Sequence, residues 1–314
     1  MIEDPTTPLK ENPRVRAFFN YATERENIRL RKFNHSRGAT GHEDIPCWAV
    51  DEEQYVRAWT PDPILQKFRF CNVFREDDTV TVWFRENVRS KIKDHAKLIF
   101  ACVAFRFFNT VKTGERMLEH NLFEDWCPER AREVLSDLKP LITAAYMVKT
   151  PVGVYPKLEG LIQILNPIWE TKEELAHKIS NAPLRSCPTL QRAHELLCEY
   201  PWVGPFMAYE AVTDLRHTSV LSHASDILTW ANPGPGAMRG LSRIETGDVD
   251  IKLTRDSYLP IMQELLELSK LETFWRKEWR PWEMREVEHT LCEFDKYTRV
   301  LTGDGTPKQL YRLK

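Results

Sequence analysis

The chain has 314 residues, room for one large domain or two small ones, and carries 44 Lys and Arg against 46 Asp and Glu. A formal charge of −2 excludes a whole-molecule polycation, so any nucleic-acid contact has to come from local patches. Only 12 glycines, among abundant Leu, Glu, Lys and Arg, favour helices over a turn-rich β architecture.

Residues 1–13 are proline-rich and read as a flexible arm, with one helical domain expected over 14–314. Helical periodicity runs over 15–33, and a polar surface loop is expected at 34–44. Between 14 and 37 stand Arg14, Arg16, Arg25, Arg29, Arg31, Lys32 and Arg37 against Glu24 and Glu26. This basic helix is either a DNA-facing patch or a solvated face. Trp59-Thr60-Pro61-Asp62-Pro63 starts a helix, with Thr60 or Asp62 as cap and Pro63 in the first turn. A helix over 64–75 would place Phe68, Asn72 and Arg75 on one face. Further helices are expected at 80–89, 95–109, 129–138, 172–180, 257–271 and 281–300, with a loop at 153–156.

The segment from 189 to 215 has helix-hairpin-helix character. Leu190, Ala193, Leu196 and Leu197 stand at helical spacing before Pro201-Trp202-Val203-Gly204-Pro205, and a second helix follows with Phe206, Val212 and Leu215 as core candidates. The unpaired N–H groups and dipole at the start of that helix suit a phosphate oxygen. Gly204 lets a nucleic-acid backbone approach closely. Trp202, Val203, Gly204 and Phe206 are therefore the DNA-binding candidates.

Four segments could carry chemistry. In 59–76, Arg69, Asn72, Arg75 and Glu76 lie among aromatics, as a site or as a structural network, for instance with Arg75 on Asp78. In 222–230, Asp226 is a catalytic carboxylate or a helix cap. In 232–240, Asn232 and the Gly-Pro-Gly sequence read as a turn with Arg239 aimed at an anion, or as a plain surface turn. In 288–297, Glu293, Lys296 and Tyr297 share a helix surface, the alternative being an ordinary amphipathic helix.

The seven cysteines form no CxxC pair, which argues for a reducing compartment and against structural zinc or a four-cysteine iron–sulfur cluster. No metal and no cofactor are expected. The N-terminus lacks signal-peptide features, and the apolar run 98–105 is too short to span a bilayer, so a cytoplasmic protein without a membrane partner is expected. No Gly-x-x-x-x-Gly-Lys-Ser/Thr phosphate loop is present.

Tyr200-Pro201-Trp202-Val203-Gly204-Pro205, with Asp226 downstream, resembles the hairpin of the helix-hairpin-helix DNA glycosylases, Trp202 replacing the usual first glycine. The four segments together resemble a narrower group, the phage thymidine-hypermodification proteins. These are the α-glutamyl/putrescinyl thymine pyrophosphorylases and the helical domain of 5-hydroxymethyluracil DNA kinases. The residues carrying this are Trp59-Thr60, Asp62-Pro63-Ile64-Leu65-Gln66, Arg69 to Val73, Arg75-Glu76, Asp226, Trp230, Gly234-Pro235-Gly236, Arg239-Gly240-Leu241 and Leu291 to Tyr297.

The resemblance covers about residues 15–311. It implies an all-α, glycosylase-like fold of two lobes with a central cleft. It also implies transfer of an amino acid or polyamine to phosphorylated 5-hydroxymethyluracil in double-stranded DNA, with a 5-hydroxymethyluracil DNA kinase as a partner. In that scheme Asp226 is the base and Lys296 assists catalysis. Arg69, Asn72, Arg75, Asn232, Arg239 and Glu293 bind substrate. Two alternatives stay open: a glycosylase in which Asp226 stabilises an oxocarbenium-like sugar, and a non-catalytic DNA-binding partner of a kinase.

Overall fold

The computed structural model describes residues 9–36, 59–180, 187–251 and 253–311. In chain order its helices are α1 (Pro13–Ser36), α2 (Pro63–Lys67), α3 (Thr79–Phe84), α4 (His95–Phe108), α5 (Val111–Glu119), α6 (Pro128–Leu135) and α7 (Lys157–Glu170). They continue with α8 (Lys172–Ser180), α9 (Leu190–Cys198), α10 (Pro205–Leu215), α11 (Pro235–Glu245), α12 (Arg255–Leu268) and α13 (Met284–Thr302). Among the described residues there is no strand, only an isolated bridge between Phe68 and Leu310. The expected all-α class is met. None of these helices is long and apolar enough to cross a membrane.

The chain divides into two compact units, one of residues 1–75 with 233–314 and one of residues 76–232. The first unit is built on α1, α11, α12 and α13. Its core is aromatic: Phe18 meets Trp282 at 5.9 Å and Phe294 at 5.6 Å, and Phe19 meets Trp282 at 5.4 Å. Each such ring contributes roughly 1.5–3 kcal/mol on full burial. The second unit is centred on α4, nearly all of whose residues are buried, and α10 packs along it.

Several sequence expectations change in the first unit. Residues 1–8 of the expected arm lie outside the described residues, but Leu9–Glu11 forms a 3-10 turn and Asn12 donates to the Ile244 carbonyl at 3.0 Å. The basic run does not form one exposed face. Arg14 donates to the Ile244 carbonyl, Arg16 lies 5.0 Å from the Phe274 ring, and Arg29 and Arg31 pair with Glu26 and Glu24. Arg37, like most of the expected surface loop, lies outside the described residues; α1 itself runs on to Ser36.

The expected helix over 64–75 stops at Lys67. Asp62 caps it as anticipated, accepting N–H bonds from Ile64 at 2.8 Å and Leu65 at 3.1 Å. Beyond it the chain is captured by the C-terminal segment: Tyr311 N–H donates to the Lys67 carbonyl, and Arg69 N–H to the Gln309 carbonyl, each at 3.0 Å.

The Gly-Pro-Gly segment is the start of a helix rather than a turn. Gly236 and Gly240 lie within α11 because α13 packs against it closely. A Cβ on Gly240 would stand 2.2 Å from the Leu291 carbonyl oxygen, and one on Gly236 2.5 Å from Cys292 Sγ. Glycine costs up to about 1 kcal/mol in a helix interior, yet nothing larger fits here.

Candidate functional site

In the first unit, α1 presents Tyr21, Arg25, Ile28 and Lys32 at steps of four, three and four residues, one helical stripe. Arg25 donates to the carbonyls of Cys71 and Phe70, each at 3.2 Å, and reaches Asn72 Oδ1 at 3.5 Å. From α13, Glu293 accepts the Cys71 N–H at 2.8 Å. The segment Phe70-Cys71-Asn72 is thus held by its carbonyls from α1 and by an N–H from α13.

Glu293 also takes a hydrogen bond from Lys296 Nζ at 2.8 Å, and this ammonium lies 5.0 Å from the Phe70 ring centroid. Burial works to raise the Glu293 carboxyl, but Lys296, His289 and the Cys71 N–H outweigh it and hold the group below its ordinary range. Lys296 shows the converse: burial opposes its charge, and Glu293 more than compensates, so its pKa is raised. The pair rests ionised. Burial first, then Glu293 and Glu288, push the Cys292 thiol up to about 12, so it is no thiolate nucleophile at neutral pH.

Tyr21 completes the cluster. Its ring lies 5.0 Å from Tyr297 and 5.9 Å from both Phe70 and Phe294. Its hydroxyl is buried and has no hydrogen-bond partner among the described residues. Burial, then the Glu293 charge, raise its pKa well above that of a free tyrosine. Leaving a buried hydroxyl unmatched costs about 1–3 kcal/mol. Tyr297 is committed elsewhere, donating to Asp62 Oδ2 at 2.6 Å.

Of the predicted substrate residues, Asn72 and Glu293 come together in this cluster, joined by the predicted catalytic Lys296. Arg69 is exposed, and Arg75 is buried in a 3-10 turn. Arg239 is not a free anion hook. It shares the fully buried Asp295 with Arg243 and Arg299, at 2.9, 3.1 and 3.3 Å. In the sequence Arg25 stood out only as part of the basic run, Cys71 only within the segment Arg69 to Val73, and Tyr21 not at all, although the α1 stripe was a usable signal.

The hairpin belongs to the second unit. Leu190, Ala193, Leu196, Leu197, Val212 and Leu215 are buried as expected. Phe206, expected in the core, is exposed instead. It is the second residue of α10, and its ring meets the Tyr146 ring edge to face at 5.1 Å. Trp202 adopts φ 68°, the left-handed conformation that explains why glycine suits this position. Its indole is exposed, while Val203 is buried beneath it and so cannot itself meet a ligand. A Cβ on Gly204 would meet nothing within 4 Å, which leaves the start of α10 open.

Asp226 caps α9 from outside that helix. Its two oxygens accept the N–H groups of Leu190 at 2.7 Å and Gln191 at 2.9 Å. Asn232 has a structural task as well, donating to the Pro205 carbonyl at 3.3 Å, which His194 Nε2 also approaches at 2.9 Å. Beneath the hairpin, Asp214 of α10 takes Arg106 at 2.5 and 2.6 Å and Arg89 at 3.2 Å. Arg89 in turn holds Glu76, which is therefore a network residue.

A mainly helical protein with a buried ionic cluster in one unit and an open Gly-Pro hairpin in the other is the setting for comparison with known proteins. The family model described as "5-hmdU DNA kinase, helical domain" matches residues 51–306. The chain belongs to this family, which places it in the context of phage DNA hypermodification. A "5-hmdU DNA kinase" of Bacillus phage SP10 is 27% identical over 269 residues, covering 77% of this chain and 41% of that protein. The chain thus spans less than half of that relative's length. No solved structure matches.

Proposed function

We propose that the chain transfers an amino acid to phosphorylated 5-hydroxymethyluracil in duplex DNA, displacing phosphate. The observation that carries this reading is the ionised Glu293–Lys296 pair with the unmatched Tyr21 hydroxyl. An amino acid is a zwitterion at neutral pH, and an ion pair is its natural receptor. The incoming ammonium replaces Lys296 on Glu293, and the incoming carboxylate replaces Glu293 on Lys296. A polyamine has no carboxylate for Lys296, so an amino acid fits better.

Glu293 then accepts one proton from the ammonium. The freed nitrogen lone pair forms a C–N bond at the C5 methylene. The C–O bond breaks and its electrons leave with the phosphate. The second proton on nitrogen departs to the released phosphate, which leaves as the hydrogen phosphate dianion, or to water. Tyr21 donates a hydrogen bond to the departing oxygen. In this reading Glu293 takes the role that sequence assigned to Asp226, and Asp226 acts indirectly by holding the hairpin.

The exposed Trp202 and Phe206 and the open start of α10 support duplex binding by the hairpin, and the target base leaves the stack to expose its C5 substituent. A 5-hydroxymethyluracil kinase supplies the phosphorylated substrate. A second reading is a DNA-binding module serving such a kinase. It is favoured by the family's description as a helical domain and by the absence of a phosphate-loop motif from the sequence.

Nucleoside mass spectrometry after incubation with phosphomethyluracil DNA and an amino-acid pool tests these readings. A new nucleoside, formed only with amine and lost in Glu293→Gln, is expected. Abasic sites would mark a glycosylase, and unchanged DNA would favour the binding module.

A further inference from the structure

We propose that Arg25, Lys32 and Arg69 of the first unit form a binding site for a phosphate oxyanion. All three are cations, and among the described residues none has a carboxylate partner. The acids of this part of α1 are already taken: Glu24 by Arg31 at 2.8 Å and Glu26 by Arg29 at 2.8 Å. Arg25 donates to two carbonyls and an amide oxygen, none of which neutralises it. Arg69 is exposed and anchored through its backbone to Gln309. Lys32 rests its ammonium 4.3 Å from the Tyr311 ring, and among the described residues its N–H donors have no hydrogen-bond acceptor.

The charges repel one another. Burial first, then Arg25 and Arg69, pull Lys32 down to about 8. Proteins do not ordinarily gather two arginines around a half-buried lysine without an anion to share. The exposed Arg69 fork and the Lys32 ammonium, with the charge of Arg25 behind them, match the charge and the several acceptors of a phosphate better than those of a single carboxylate. Arg25 also borders the Tyr21–Glu293 cluster, since its charge acts on the Tyr21 hydroxyl.

The site deepens the transfer reading and rests on it for its biological role. Its ligand is either the inorganic phosphate or pyrophosphate released by transfer, or a phosphodiester of the DNA backbone.

Calorimetry on the full chain, with inorganic phosphate, inorganic pyrophosphate and unmodified duplex as probes, tests the assignment without turnover. Lys32→Met should weaken the favoured probe about tenfold or more. Arg69→Gln, at an exposed position, should do the same, and Lys32→Arg should restore binding. Lys270→Met, which removes an exposed lysine paired with Glu267, should change nothing.

Loss confined to the inorganic ions identifies the leaving-group source. Loss confined to the duplex, with the salt slope reduced by about one, identifies the backbone source. Unchanged affinity for all three probes in folded Lys32→Met and Arg69→Gln proteins overturns the site. That failure would leave the transfer reading to stand or fall on the nucleoside analysis.

Discussion

Replacing Asp226 by Asn separates a structural carboxylate from a chemical one. Asp226 accepts two N–H bonds at the start of α9, from Leu190 at 2.7 Å and from Gln191 at 2.9 Å. Asn keeps one acceptor oxygen and turns an NH2 group toward the second N–H, donor against donor. It also removes the negative charge at the helix N-terminus, worth about 0.3–1 kcal/mol. Thr189 still caps the Arg192 N–H at 3.1 Å, and Gln191 is exposed, so water relieves part of the loss. Together these give a cost of about 1–2 kcal/mol, typical of a lost cap. For a domain of this size that is roughly 2–8 °C in melting temperature. Thermal melts by circular dichroism read the stability, and nucleoside formation at saturating DNA reads the chemistry. The expected variant melts lower, binds duplex more weakly and retains transfer within a few-fold. An unshifted melting temperature with transfer abolished would refute this reasoning and return Asp226 to the reaction.

Three further outcomes follow from the geometry. Trp202→Gly relieves the left-handed strain and should stabilise the protein by about 1 kcal/mol, yet lower duplex affinity by removing an exposed indole; parallel melts and binding curves check both signs. Tyr21→Phe removes an unmatched buried hydroxyl, so melting temperature should hold or rise while transfer falls, and a clear drop in melting temperature would contradict the vacant-donor reading. Glu286, pushed up to about 7 by burial and then by Glu283, keeps its proton in the folded state while the unfolded chain releases it. The folded state therefore binds more protons between about 4.3 and about 7, and stability falls as pH rises through that window. Glu286→Gln keeps an acceptor for the Glu283 N–H at 2.9 Å and should flatten this slope, gaining up to about 3 kcal/mol above neutral pH. Denaturant melts from pH 4 to 8 measure it.

The features legible in the amino-acid order are local ones. Periodicity and composition specified the helical class, and the hairpin was legible because Gly204, Pro205 and the apolar spacing around them act within a few residues. The Asp62 cap and the helix over 172–180 were readable for the same reason. The helix over 64–75 failed because its backbone pairs with residues 309–311, more than 200 positions away, and no local pattern reports such a partner. The Gly-Pro-Gly segment was misread because glycine weakens an isolated helix, whereas here it admits the Leu291 carbonyl and the Cys292 sulfur. Glu293 and Lys296 were visible as neighbours on one helix face. Only tertiary packing decided that Tyr21, Arg25 and Cys71 meet them, and that Asp226, Asn232 and Arg239 are held by other groups. Spacing along a chain specifies which side chains share a face; which faces then meet depends on distant segments closing over a common core.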